Sequence, residues 1–271
     1  MLVLGVIWLV FASISDVKTT IVANWISFSL IIFVLGFRVF YSLFTGDFNF
    51  LLKGLIGFGI FFVLGNLFYY TRIFAGGDAK IMYSLGPILA LSGSLLTNLK
   101  IFLAFFIIYL FSGVVYGIIW SAVLMFRNFG SFREKTKETF NRIKIWNYFI
   151  MFFGILLMLL GFFKSFSFYF GVIIFILPYL YIYSKAVDES CMVKLIKPNK
   201  LVEGDWLYQG VKIGRKTIKS RWGGLTKEQI ELLKKRKKLV KIRYGIPFVP
   251  VFLIAYILLI IFLKIEIFGL L

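Results

Sequence analysis

The sequence predicts an all-α polytopic membrane protein, with about eight transmembrane helices and a small cytoplasmic α/β insertion before the last of them. The chain is 61% hydrophobic and 20% aromatic, with a mean hydropathy of +0.93. That is more apolar surface than one soluble core of 271 residues can enclose, so lipid must be part of its solvent. Apolar runs recur near the ~20-residue length that crosses a hydrocarbon layer of ~30 Å. The cations gather in the stretches between those runs, where anionic headgroups would meet them.

In chain order the predicted spans cover residues 1–15, 25–44, 51–71, 79–96, 100–126, 146–164, 167–185 and 246–268. The first and fourth are short for an unthinned bilayer at the ~1.5 Å rise of a helix. Met1 to Val10 lacks the charged start and small-residue cleavage site of a secretory signal and reads as part of the first membrane helix. The domain organisation expected is a core of membrane helices at 1–126 and a basic cytoplasmic loop at 127–145. Further membrane helices at 146–185, a cytoplasmic polar insertion at 186–244 and a C-terminal membrane helix at 245–271 complete it. The basic loop mixes charges and aromatics in the manner of an interfacial segment. In the insertion, Asp205 to Ile213 alternates apolar and polar residues around Gln209-Gly210, which predicts a hairpin. Thr226 and Gln229 form a capping-box pattern that starts a helix running toward the basic stretch Lys234 to Lys238.

Of the 31 Lys and Arg residues, 26 fall on one side of an alternating eight-helix path; Arg38, Lys53, Lys100, Lys164 and Lys264 fall on the other. Cationic loops stay in the cytoplasm, which places both termini outside and predicts a multi-pass protein of the cell membrane. The net charge of +19 comes without a nucleic-acid-binding motif, so the bilayer is the expected partner and nucleic acid is not.

Histidine is absent, and Cys191 is the single cysteine. Ser-His, Cys-His and His-ligated metal mechanisms are thereby excluded, and no disulfide or CxxC zinc pair can form. Carboxylates are scarce, and two stand at the ends of predicted membrane helices: Asp16 in Ser13-Ile14-Ser15-Asp16-Val17-Lys18, and Asp78 in Ala75-Gly76-Gly77-Asp78-Ala79-Lys80. The topology puts both on the cytoplasmic face, where an ionisable residue is a functional candidate. Two carboxyls sharing a site hold one proton between them, and such a pair can activate water and polarise a scissile carbonyl. A helix C-terminal end at Asp16 and an N-terminal end at Asp78 would leave the proton on Asp16. Gly76 and Gly77 would allow tight backbone approach, and positive φ, where a substrate strand lies beside the acid. The alternatives are structural: Asp78 as a helix cap and Asp16 as a polar stop at the interface.

Phe74-Ala75-Gly76-Gly77-Asp78-Ala79-Lys80 resembles the Gly-x-Gly-Asp motif of the type IV prepilin peptidase family. Ser15-Asp16-Val17-Lys18, with Ile21 and Asn24-Trp25, is similar to that family's first aspartate region. Leu201-Val202-Glu203-Gly204-Asp205 and Gly245-Ile246-Pro247-Phe248-Val249-Pro250 resemble the archaeal prepilin and preflagellin peptidase branch with an extended C-terminal region. Ala75 departs from the first glycine of the motif, and the zinc-binding cysteine loop of bacterial relatives is missing. The resemblance implies an aspartyl endopeptidase with Asp16 and Asp78 as catalytic pair and no cofactor or metal. It would remove short basic leader peptides from archaeal pilin or archaellin precursors. Glu203 and Asp205 are candidate contacts for the leader's cations, with a plain polar turn as the other reading. The rival from another class is a proton- or cation-coupled transporter using the same two aspartates.

Overall fold

The computed structural model describes the chain except residues 163, 214, 215, 222, 237, 270 and 271, and the side chains of 216, 236 and 265–269. The last two residues of the predicted C-terminal segment therefore lie outside the described residues. The chain divides into two compact units, one of Met1–Ile118 with Ile246–Leu271 and one of Ile119–Gly245.

The first unit is helical. It holds α1 (Leu2–Thr19), α2 (Asn24–Thr45), α3 (Phe48–Tyr70), α4 (Gly76–Leu89), the larger part of α5 (Leu95–Arg127) and α10 (Val249–Gly269). α1, α2, α3 and α5 are long and apolar enough to cross a membrane. Their outer faces carry exposed rings and branched side chains such as Ile32, Phe33, Phe62 and Phe111, which lipid would cover. The predicted 79–96 span resolves differently. Pro87 and the Ser92-Gly93-Ser94 break end α4 after 14 residues, and α5 starts at Leu95. At ~21 Å, α4 is too short to cross the hydrocarbon layer.

α4 is also the innermost helix, with ten of its 14 residues buried. Glycines let the neighbouring backbones close on it: a Cβ on Gly57 of α3 would lie 2.5 Å from the Gly86 carbonyl oxygen, and Gly86 faces Gly57 reciprocally. In a bilayer such small-residue contacts supply helix association, because burying apolar side chains away from lipid gains little. Met82, Leu85, Ile88 and Leu89 fill the centre with Leu9, Leu30, Phe61, Phe105 and Phe252. α1 and α10 meet at Gly5, where a Cβ would be 2.6 Å from the Tyr256 hydroxyl oxygen, and that hydroxyl donates to the Leu2 carbonyl at 3.2 Å.

The second unit contains α6 (Phe129–Arg142), α7 (Lys144–Leu160), α8 (Ser165–Val187) and a small α/β element. The basic loop is helical: α6 is amphipathic and bends by 77° into α7, as an interfacial segment entering the bilayer would. α7 and α8 pack through Gly154 and Gly171, where an added Cβ would meet backbone. In the α/β element, β1 (Val193–Ile196) and β2 (Trp206–Leu207) both pair antiparallel with β5 (Val240–Arg243), in the order β1-β5-β2. β3 (Val211–Ile213) pairs with β4 (Lys216–Ile218).

This corrects the expected hairpin around Gln209-Gly210. The two strands form, but β2 takes Ile242 opposite Leu207 and so buries Leu207 with Val240, Ile242 and Leu233. α9 (Lys227–Arg236) starts as its capping box requires: Thr226 N–H donates to Gln229 Oε1 at 3.2 Å, and Gln229 N–H to Thr226 Oγ1 at 3.4 Å.

Candidate active site

Asp16 lies in the last turn of α1, whose end is shaped by hydroxyls. Thr20 is left-handed at φ 55° and returns its N–H to the Asp16 carbonyl at 2.7 Å, while Ser15 Oγ donates to the Ile21 carbonyl at 2.9 Å. The chain is thus folded back so that Val22 reaches the start of α4. There a Cβ on Gly77 would lie 3.1 Å from Val22 Cγ2, so a larger residue would push the two segments apart. Lys80 Nζ donates to Asn24 Oδ1 at 2.6 Å and ties the same two segments together.

Asp78 is the third residue of α4, and its Oδ2 accepts the Ala75 N–H at 3.1 Å. The capping geometry weighed as a structural alternative is therefore present. It occupies one carboxylate oxygen. Asp16 and Asp78 are both buried, at 7% and 8% exposure, and are near enough for the charge of Asp16 to act on Asp78. The pair lies where the C-terminal end of α1 meets the N-terminal end of α4.

A third helix end completes the site. The Val249 N–H, at the start of α10, donates to Asp16 Oδ2 at 3.0 Å, and the Phe248 N–H is also directed at this carboxyl. The Gly245-Ile246-Pro247-Phe248-Val249-Pro250 segment leads into α10 and also delivers backbone donors to a carboxyl 233 residues away in sequence. Asp16 therefore faces the N-terminal end of α10 as well as the C-terminal end of its own helix. That offsets the contribution of α1 at Asp16, while Asp78 keeps the N-terminal end of α4.

α5 walls the site with Tyr109, Ser112, Gly113 and Tyr116, spaced to share one helical face. Phe248 packs edge-on against both tyrosines, with centroids 6.1 Å from Tyr109 and 6.3 Å from Tyr116, and a Cβ on Gly113 would approach it to 3.0 Å. The Tyr109 hydroxyl and Ser13 Oγ, one turn before Asp16, are buried with no hydrogen-bond partner among the described residues.

The opposite end of α4 is held by Arg38. This guanidinium, counted by sequence among the outer-side cations, is fully buried and lies against Phe50. It donates through Nε to the Pro87 carbonyl at 2.9 Å and through its terminal nitrogens to the carbonyls of Phe50 and Ala90. A cation at the C-terminal end of α4 also matches the helix dipole.

Gly76 and Gly77 are helical, so neither uses the positive φ proposed for it. Gly77 needs its hydrogen for close approach to Val22, whereas a Cβ on Gly76 meets nothing nearer than Tyr69 at 3.9 Å. Glu203 and Asp205 belong to the second unit. Asp205 Oδ2 closes a turn by accepting the Val202 N–H at 2.8 Å, and Glu203 stands at the surface 3.8 Å from Lys227 Nζ. Among the described residues no three His, Cys, Asp or Glu side chains converge to hold a metal.

Residues 3–126, which include both aspartates, match the type IV leader peptidase family. The chain is similar to the preflagellin peptidase of Methanococcus maripaludis, 29% identical over 161 residues, covering 56% of this chain and 66% of that protein. It is also similar to the preflagellin peptidase of Methanocaldococcus jannaschii, 29% identical over 87 residues, covering 32% of this chain and 37% of that protein. The chain thus spans less than two thirds of the length of either relative. No solved structure matches it.

Proposed function

We propose, for a chain whose residues 3–126 match the type IV leader peptidase family, that it is an aspartyl membrane endopeptidase with Asp16 and Asp78 as its catalytic pair. The observation that carries this reading is the meeting of two buried carboxyls drawn from the two motif segments, both inside the family match. The substrate proposed is an archaeal pilin or archaellin precursor with a short basic leader. The relatives' name, preflagellin peptidase, supports this class. The cut would fall at the cytoplasmic face of the cell membrane, in keeping with the cationic loops on that side of the predicted path.

Hydrolysis needs one carboxylate and one carboxylic acid. Asp16 suits the carboxylate role, because two backbone N–H groups, of Val249 and Phe248, are directed at its carboxyl, against the one of Ala75 at that of Asp78. Ionised Asp16 takes a proton from water as the water oxygen bonds to the scissile carbonyl carbon. The carbonyl π pair moves onto oxygen, which takes the Asp78 proton and gives a gem-diol. In the second step Asp16 passes its proton to the amide nitrogen, Asp78 recovers one from the gem-diol, and the C–N bond breaks. The pair returns to its starting state. Of the two candidate leader contacts, Glu203 has the freer carboxylate, since that of Asp205 closes a turn.

The test is cleavage of a panel of leader-bearing precursors by purified protein in liposomes, comparing wild type with Asp16→Asn and Asp78→Asn. Each variant is expected to fold and to lose cleavage by roughly 10³-fold or more, the scale of removing one member of a catalytic unit. Normal cleavage by either variant would sink the carboxyl-pair mechanism, and proton or cation flux would then be measured for the transporter reading.

A further inference from the structure

Polar groups around the two carboxyls divide into those with a partner among the described residues and those without, and Tyr109 belongs to the second kind. It is 3% exposed. Its ring packs at 4.5 Å from Phe252 and 6.2 Å from Phe105, which leaves it little freedom to turn. It also meets Phe74 at 6.0 Å and Phe248 at 6.1 Å. Phe74 lies on the segment leading to Asp78, and Phe248 adjoins the Val249 amide that holds Asp16. The ring therefore touches both of the segments that present the carboxyls.

A buried hydroxyl without a partner destabilises the fold, and phenylalanine would fill the same space without that cost. The equally buried Tyr256 shows the ordinary solution, with its hydroxyl on the Leu2 carbonyl. At Tyr109 no partner is found among the described residues, which leaves the hydroxyl available to a bound group. A peptide bond undergoing attack supplies one, because its carbonyl oxygen gains electron density as the carbon becomes tetrahedral.

We propose that Tyr109 is a third catalytic residue, whose hydroxyl donates a hydrogen bond to the carbonyl oxygen of the scissile peptide as the gem-diol forms. No proton leaves the phenol. Asp78 still protonates that oxygen, and Tyr109 stabilises the charge on it until the transfer is complete. The proposal rests on the peptidase reading of Asp16 and Asp78.

The experiment compares wild type, Tyr109→Phe, Tyr256→Phe and Asp78→Asn in the same liposomes, measuring kcat, KM and thermal midpoint on one cleavable precursor. Tyr109→Phe is expected to keep or raise the midpoint, leave KM nearly unchanged and lower kcat roughly 10²–10³-fold, the effect of losing one oxyanion donor. Tyr256→Phe is expected to do the reverse, lowering the midpoint with kcat nearly unchanged. Incorporating a fluorinated tyrosine at 109 keeps the ring and strengthens the donor, so kcat should shift by at least about threefold while folding is retained. Full-rate Tyr109→Phe beside an inert Asp78→Asn overturns the role of Tyr109 alone. So does a Tyr109→Phe that loses midpoint as Tyr256→Phe does, or a fluorinated enzyme of unchanged kcat. An active Asp78→Asn removes the peptidase reading and this proposal together.

Discussion

The two ends of α4 treat polar groups in opposite ways. At the C-terminal end the charged and amide side chains have partners, although the Ser42 hydroxyl, one turn beyond Arg38, has none among the described residues. Arg38 serves the carbonyls of Phe50, Pro87 and Ala90, and Asn98 both accepts the Ser92 N–H at 2.7 Å and donates to the Ser92 carbonyl at 2.9 Å. At the N-terminal end the carboxyls of Asp16 and Asp78 each accept backbone N–H groups, while the Tyr109 hydroxyl and Ser13 Oγ have no partner among the described residues. Both ends are buried, so burial does not distinguish them. What distinguishes them is the company the polar groups keep: a matched guanidinium and amide hold the end of a short helix, and unmatched hydroxyls beside two acids are available to a substrate.

The sharpest way to break this contrast is at the matched end. Arg38→Met keeps much of the side-chain volume but leaves three backbone carbonyls without their donor, and those carbonyls cannot be removed with it. A loss on the order of 3 kcal/mol or more is expected, read as a lowered thermal midpoint in detergent, with cleavage falling as folded protein is lost. A midpoint equal to wild type would mean that α4 is held by its glycine contacts alone.

Arg38 also shows what was legible in the sequence and what was not. A charge inside a long apolar run is a mark any reader can find, yet counting it toward membrane topology hid its partners, which are backbone atoms. Asp16 and Asp78 were legible because acids are rare here and each stands in a recognisable segment. The Val249 amide was not, since a backbone donor carries no side-chain signature and its acceptor lies at the far end of the chain. The strands of the insertion could be read from alternation, but the choice of β5 as partner for β2 is a long-range one that local pattern does not contain. Likewise the apolar run through Leu96 suggested a span, whereas Pro87 and Ser92-Gly93-Ser94 divide it into a short helix and a turn. Tyr109 was passed over as one ring among many. Its unpartnered hydroxyl is visible only after folding.

A second change tests the donor that α10 brings to Asp16. Val249 is the first residue of that helix, where proline is well tolerated because the N–H has no helical partner. Val249→Pro removes the hydrogen bond to Asp16 Oδ2 and also part of a buried side chain, a packing loss that Val249→Ala shares, and Phe248 before it is already outside the helix, as a residue preceding proline prefers. We expect kcat to fall roughly 10- to 100-fold with a thermal midpoint close to that of Val249→Ala, the scale of a charge-assisted hydrogen bond at a reacting group. Val249→Ala, which keeps the N–H, should cleave at close to the wild-type rate. Equal losses in both variants would assign the effect to packing and remove α10 from the catalytic machinery.

The smallest expected effect is at Ser13, and it is the one that bears most directly on the idea of unmatched groups. Ser13 is 7% exposed and its Oγ has no partner among the described residues. Were that hydroxyl structural, Ser13→Ala would cost about 1 kcal/mol, as losing a typical buried hydrogen bond does. If it is unmatched in the resting protein, removing it deletes a desolvated polar group together with its penalty, and stability should hold or rise by up to about 1 kcal/mol. Position adds a second reading. Ser13 shares a helical face with Asp16, so any hydrogen bond it forms during turnover would be to Asp16 or to the bound peptide, and kcat alone would register its loss. The expected outcome is an unchanged or slightly raised midpoint with kcat lowered by less than about tenfold, well short of the Tyr109→Phe effect. A clear drop in midpoint would show the N-terminal end of α4 to be as fully matched as its C-terminal end, and the contrast between the two ends would no longer mark the site.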